Sequence, residues 1–278
     1  MEIRERFLRL NGLSLHGVEW GPVGAPPVVL LHGVTGHARV WDRLARALLP
    51  MHRVVALDQR GHGDSGAAPD GDYQVPTMAR DLASFVDELG LKRFVLLGHS
   101  LGGRVAIAYT ASHPERVERL ILVDIGPDIH PAGLQRVRGM MAATPEEIES
   151  EQWAIDSMRR ANPLHDPDEL RHRVVHGLRR RPDGTLTWKY DKGLRDMVRE
   201  GRSDAVDLWE PLGAIMCPTL LVRGTESDIL SAETAQRMLQ TLHRAELVEV
   251  PNAGHFVPGD RPADFARVIQ SFLSKGLD

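Results

Sequence analysis

The chain has a single cysteine, Cys217, among its 278 residues, so it forms no internal disulfide, and its thiol says nothing about redox compartment. No apolar run approaches the ~18 residues that a membrane-spanning helix needs. The opening residues Met1-Glu2-Ile3-Arg4-Glu5-Arg6 put charges where a signal peptide would carry an apolar core. A basic excess is missing too: the formal net charge is −4 and the pI is near 6.4, which argues against a nucleic-acid partner. Lysine is scarce beside arginine, a bias that genome composition explains as readily as a need for bidentate pairing. There is no internal repeat and no low-complexity segment. What remains is ordinary globular composition, 42% hydrophobic and 26% charged, and the expectation is a soluble cytoplasmic protein with no membrane partner.

The order of elements sets the fold class. Residues 3–10 and 13–20 alternate apolar and polar around Asn11-Gly12, a turn dipeptide, and predict an opening antiparallel hairpin. Val28-Val29-Leu30-Leu31, Val54-Val55-Ala56-Leu57, Phe94-Val95-Leu96-Leu97 and Leu120-Ile121-Leu122-Val123 are continuous apolar runs, as expected of strands covered on both faces. Helical patterns separate them, so the prediction is an α/β fold, a doubly wound and mostly parallel sheet. The rhythm breaks after Pro127. Residues 128–211 give helical patterns punctuated by prolines, and the strand–helix alternation resumes at Pro218-Thr219-Leu220-Leu221-Val222. An excursion of about 80 residues inside a regular sheet reads as an inserted helical lid, dividing the core into residues 1–127 and 212–278.

The chemistry centres on Gly98-His99-Ser100-Leu101-Gly102-Gly103, which follows a buried strand with no spacer and opens a helix. So sharp a bend needs neighbours without side chains. Gly98 and Gly102 are expected to clear space around Ser100, and Gly103 to let the helix approach the sheet. The serine is thereby presented at the tip of the bend, beside the first helical amides. Two further strand ends carry matching groups. Asp228 lies in Gly224-Thr225-Glu226-Ser227-Asp228, and His255 in Pro251-Asn252-Ala253-Gly254-His255-Phe256. Carboxyl ends of parallel strands collect binding groups on one rim, so Ser100, Asp228 and His255 are expected to converge there.

With the strand-borne His32-Gly33, the Gly98–Gly102 elbow, the order serine, aspartate, histidine, and Gly254-His255 after the last strand, the chain resembles the α/β-hydrolase fold family over essentially its whole length. The resemblance implies a serine nucleophile, Ser100, deprotonated by His255, which an aspartate orients. Asp228, in the segment that more usually supplies this acid, is expected to be that aspartate, and Asp124, at another strand end, is the alternative. The amides of Val34 and Leu101 would receive the charge that develops on a substrate carbonyl oxygen. Haloalkane dehalogenases and epoxide hydrolases of the fold carry an aspartate at the position of Ser100, so both chemistries are disfavoured. What is left is acyl chemistry on a small-molecule substrate, with no metal and no organic cofactor. A carboxylesterase acting on a small ester or lactone is expected. A carbon–carbon bond or amide hydrolase of a catabolic intermediate is the alternative, as is a slow-turnover ligand sensor of the same fold.

Other prominent residues have simpler readings. Asp58 ends a strand on the far side of the elbow and is a weaker candidate acid. His99 is expected to pack and hydrogen-bond facing away from Ser100, and His32 to brace the oxyanion loop. His172 and His176 are four apart near Asp168 and Glu169, but without the His-Glu-x-x-His arrangement they read as a solvated helical face. Arg179-Arg180-Arg181 reads as an exposed charged turn, and Cys217 as a small core residue. Trp153 and Trp188, the largest apolar side chains of the insertion, are its candidates for substrate contact.

Overall fold

The computed structural model describes residues 2–202 and 206–276. Asn11 and Gly12 take left-handed φ values of 51° and 77°, a conformation both residue types tolerate, and close the hairpin between β1 (Ile3–Leu10) and β2 (Leu13–Trp20). The strands that follow are β3 (Pro27–Leu31), β4 (Arg53–Asp58), β5 (Phe94–His99) and β6 (Val117–Val123). After them come a short pair, β7 (Leu178–Arg180) and β8 (Leu186–Trp188), and then β9 (Thr219–Gly224) and β10 (Ala245–Val250). The main sheet has eight strands in the order β1-β2-β4-β3-β5-β6-β9-β10. It is parallel from β4 to β10, with β1 and β2 antiparallel at one edge. The strand β5, which leads into Ser100, therefore lies mid-sheet, between β3 and β6.

Alternation along each buried strand divides the core in two. Val29, Leu31, Val55, Leu57 and Leu96 point to one face, where α2 (Val75–Glu88) and α3 (Leu101–Ser112) cover them with Leu82, Phe85 and Val105. Val28, Leu30, Val54, Ala56 and Leu97 point to the other, against Trp41, Leu44 of α1 (Asp42–Leu48) and Phe265 and Ile269 near the C-terminus. Each fully buried side chain of this kind contributes roughly 1.5–3 kcal/mol. None of the described helices is long and apolar enough to cross a membrane.

Between β6 and β9 the chain forms α4 (Pro131–Ala143), α5 (Glu151–Ala161), α6 (Pro167–Gly177) and α7 (Lys192–Arg199), with β7 and β8 as a hairpin between the last two. Capping is local: Ser150 accepts from the Trp153 amide at 3.0 Å, and Asp166 from the Asp168 and Glu169 amides, each at 3.1 Å. Ile148, Ala154, Ile155, Leu170 and Val174 make a small core of their own. The hairpin was not foreseen, because three-residue strands with half-exposed side chains leave almost no periodic signal. The expected end of the insertion, residue 211, falls inside α8 (Trp209–Gly213), which packs on α3, and residues 203–205 lie outside the described residues. After β9 the core is completed by α9 (Ala232–Thr241), α10 (Val257–Asp260) and α11 (Pro262–Ser274).

Asp58, at the end of β4, fastens three segments together. Its carboxylate accepts from His16 Nδ1 of β2 at 2.7 Å, from the Ala38 amide at 2.5 Å and from the Asp64 amide at 2.9 Å. Burial pushes this carboxyl up, but the bond from His16 and the other donors outweigh it and bring it down to about 2. A depressed native pKa adds stability that is present above the unfolded value and lost as pH falls through the native one. Asp58→Asn should thus cost on the order of 2 kcal/mol at neutral pH, and the gap to wild type should close between about pH 4 and pH 2. Denaturant titrations across that range check it; a gap that does not change with pH would contradict the assignment.

Candidate active site

Ser100 sits between β5 and α3 with φ 54° and ψ −121°, a conformation that costs a side-chain-bearing residue roughly 1–3 kcal/mol. Its surroundings hold it there. The Ser100 amide donates to the Val123 carbonyl at 3.2 Å, and its carbonyl accepts from the Gly103 amide at 2.9 Å and the Arg104 amide at 3.2 Å. The elbow glycines are needed for a reason other than the expected one. A Cβ on Gly98 would strike the backbone of Gly102, and a Cβ on Gly102 the carbonyl of Leu31 in β3, so backbone is what crowds them, not the serine. The glycine that clears Ser100 itself is Gly33, where a Cβ would come within 2.9 Å of the serine Cβ.

His255, on the loop after β10, reaches Ser100 Oγ with Nε2 at 2.9 Å. Its Nδ1 lies 2.8 Å from Asp124 Oδ2. This corrects the expectation for the acid: the carboxylate on His255 is that of Asp124, and Asp228 is elsewhere. Asp228 turns toward the insertion and forms a two-point ion pair with Arg136 of α4, Nε to Oδ2 at 2.5 Å and Nη2 to Oδ1 at 2.8 Å. The physical reason lies at the strand ends. Asp124 follows β6, the immediate neighbour of β5, and its left-handed φ of 51° folds the carboxylate back beneath the histidine. The end of β9 and the loop after it supply donors to that carboxylate, the Gly224 amide to Oδ1 at 3.0 Å and Ser227 Oγ to Oδ2 at 2.5 Å.

The two aspartates differ electrostatically as well. Asp124 is fully buried, and burial pushes its carboxyl above the ordinary range against the pull of its three donors. Asp228 is partly exposed, and the Arg136 guanidinium holds it below that range. Ser227 was passed over in the sequence, yet a hydroxyl one residue before Asp228 was a usable sign that this loop donates. Arg136 and Arg173 were also missed, because isolated arginines on helices carry no motif.

The neighbouring histidines are structural. His32 Nδ1–H donates to the Gly33 carbonyl at 2.8 Å while Nε2 accepts from the Gln59 amide at 3.1 Å, and burial keeps the ring neutral, its pKa lowered to about 3. His99 Nε2–H donates to the His255 carbonyl at 2.9 Å, which ties the His255 loop to β5. A cavity of about 650 Å³ opens above Ser100 and His255, lined by Val34, Met140, Trp153 and Trp188 among others. Leu101 begins α3 immediately past the serine.

The remaining candidates fall elsewhere. His172 is only partly exposed: α6 packs on the short 3₁₀ turn Ala38–Trp41, and His172 Nε2 lies 3.1 Å from Asp42 Oδ2 and 3.0 Å from the Arg39 carbonyl. Asp42, His172 and His176 are close enough to share an ion, but Arg39 already occupies both Asp42 oxygens, at distances of 2.6–2.9 Å. Arg179 and Arg180 are exposed on β7, and Arg179 bonds the Gly63 carbonyl. Cys217 packs partly buried against the core, where burial raises its thiol to about 11.

A family model described as alpha/beta hydrolase fold matches residues 26–262. The chain belongs to the alpha/beta hydrolase fold family. It is 31% identical over 271 residues to Esterase Rv0045c of Mycobacterium tuberculosis, covering 95% of this chain and 88% of that protein. It is 30% identical to the putative carbamate hydrolase RutD of Variovorax paradoxus, covering 95% and 97%. Among solved structures, that of E-2-(acetamidomethylene)succinate hydrolase superposes with a TM-score of 0.91 at 25% identity, covering 99% of this chain and all of that one. These three have hydrolytic names but differ in the substrate or bond those names give.

For this alpha/beta hydrolase the geometry separates the two aspartates experimentally. Asp124→Asn should lower kcat by about 10²–10⁴-fold through the wrong histidine tautomer, and Asp228→Asn by no more than about tenfold. Steady-state kinetics on both purified variants decide between them; the reverse order would return the acid to the β9 loop.

Proposed function

We propose that the chain is a serine hydrolase that cleaves a small carboxylic ester or lactone through an acyl-enzyme. The observation that carries this reading is the Ser100 Oγ–His255 Nε2–Asp124 relay at the floor of the cavity. His255 takes the hydroxyl proton as Oγ bonds to the substrate carbonyl carbon, and the carbonyl oxygen becomes an oxyanion. Expulsion of the alkoxide consumes that proton, releases the alcohol and leaves an acylated serine. Water, deprotonated by the same imidazole, then displaces Ser100 and frees the carboxylic acid. Asp124 keeps the imidazole in the tautomer with Nδ1–H and balances the imidazolium at each step. The amides of Val34 and Leu101 are the proposed oxyanion donors. They lie on the two segments that flank Ser100, and only their backbones are required.

The names esterase and lipase among the relatives support ester chemistry. The segment from residue 128 to 211 would act as a lid, since Met140, Trp153 and Trp188 share the cavity with the serine. Amide or carbamate cleavage is the second reading, favoured by the relatives named for a carbamate and for an acetamido-bearing succinate. Side-by-side assays on matched esters, lactones and amides separate the two.

Ser100→Ala should reduce turnover by several orders of magnitude with the fold intact, and a small serine-directed phosphonate should add its mass at Ser100 alone. Residual wild-type activity in that variant, or labelling at another residue, would contradict the assignment. Trp153→Ala and Trp188→Ala should shift relative kcat/KM across an acyl-chain series, by roughly ten- to two-hundred-fold at most, while phosphonate labelling changes less. An unchanged chain-length profile in both would reduce the two tryptophans to packing.

A further inference from the structure

Of the two arginines lining the cavity over Ser100, Arg136 is neutralised by Asp228. The other, Arg173 of α6, has no carboxylate within ion-pair distance among the described residues. Its Nη2 donates to Thr35 Oγ1 at 3.2 Å, and its Nη1 approaches His165 Nε2 at 3.4 Å. Its Nε is buried without a partner. The guanidinium carbon lies 4.7 Å from the centre of the Phe256 ring. A carboxylate does stand behind it, but Asp260 is engaged by His165 Nδ1 at 2.7 Å and the Gly254 amide at 2.8 Å.

A guanidinium drawn partly out of water with long, neutral contacts is an incomplete arrangement, since its Nε has no partner and the carboxylate near it, Asp260, is held by other donors. Its pKa reflects this, lowered by burial to about 10. The position is also informative. Thr35 follows Val34, the proposed oxyanion donor, and Phe256 follows His255, so Arg173 is pinned between the immediate neighbours of two catalytic elements. An anion held there would lie a few bonds from a carbonyl poised over Ser100.

We infer that Arg173 binds a carboxylate carried by the substrate, so that the site acts on small acyl compounds with an anionic end. A single guanidinium fork fits a planar monoanion. A phosphate, with a charge near −1.5 to −2 at neutral pH, would call for more than one cation. The inference rests on the serine hydrolase reading and specifies its substrate class.

The test compares monomethyl esters of succinate, glutarate and adipate with methyl esters of monocarboxylic acids of equal length. In the wild type the best half-ester should exceed its neutral counterpart in kcat/KM by at least about tenfold. Arg173→Met should lower that ratio by roughly 10²-fold, mainly through KM, and Arg173→Lys should retain part of it. A parallel measurement uses the wild type alone: glutarate, and not its uncharged diamide, should slow phosphonate labelling of Ser100. A wild type that prefers the neutral esters throughout overturns the inference. So does a variant that loses both substrate types by one factor, or protection by the diamide equal to that by glutarate. Phosphonate labelling at Ser100 without any anion preference would leave the serine hydrolase reading standing and remove only the role of Arg173. No labelling and no ester cleavage would remove both.

Discussion

A fully buried carboxylate, Asp124, sets the terms for the rim of the sheet around Ser100. A charge in that position is tolerated only when donors surround it, and here they come from separate parts of the chain: the Gly224 amide ending β9, the Ser227 hydroxyl beyond it and His255 after β10. Satisfying one side chain therefore fixes three strand ends relative to one another. The histidine is oriented as a consequence, and its free nitrogen meets the serine. The carboxylate on His255 therefore follows β6, where it is fully buried, and not the more exposed loop after β9.

Close backbone packing supplies the complementary constraint. The elbow places the start of α3 against β3, and three glycines make that approach feasible where any side chain would meet backbone or the serine. His32 and His99, both kept neutral by burial, tie the loops around it to β4 and to the His255 segment. The insertion is fastened from the other side by Arg136 on Asp228 and by α6 on the Ala38–Trp41 turn. Arg136 and Asp228 pair with each other along the cavity, whereas Arg173 has no carboxylate within ion-pair distance among the described residues.

Much of this was legible in the sequence because strong, local signals dictated it. Continuous apolar runs announced the parallel strands, Asn11-Gly12 the hairpin, and Gly98 to Gly103 the elbow. Ser100 and His255 could be named because each follows a strand with its own glycine signature. The acid could not be settled the same way, since Asp124 and Asp228 both end strands of the same sheet. Choosing between them depends on a backbone φ and on which neighbour recruits each carboxylate, and neither is written in local pattern. The same limit hid the β7–β8 hairpin, the seating of His172 against Asp42 and the role of Ser227, all decided by contacts between segments far apart in the chain.

The central claim is that the buried Asp124 carboxylate, through Nδ1, holds His255 on the serine. Proton NMR of the far-downfield region tests it most directly, because a histidine N–H donated to a buried carboxylate resonates well away from other amide protons. The account predicts a His255 Nδ1–H signal of this kind in the wild type and in Asp228→Asn, and its loss or large upfield shift in Asp124→Asn. A signal that survives Asp124→Asn and disappears in Asp228→Asn would contradict it.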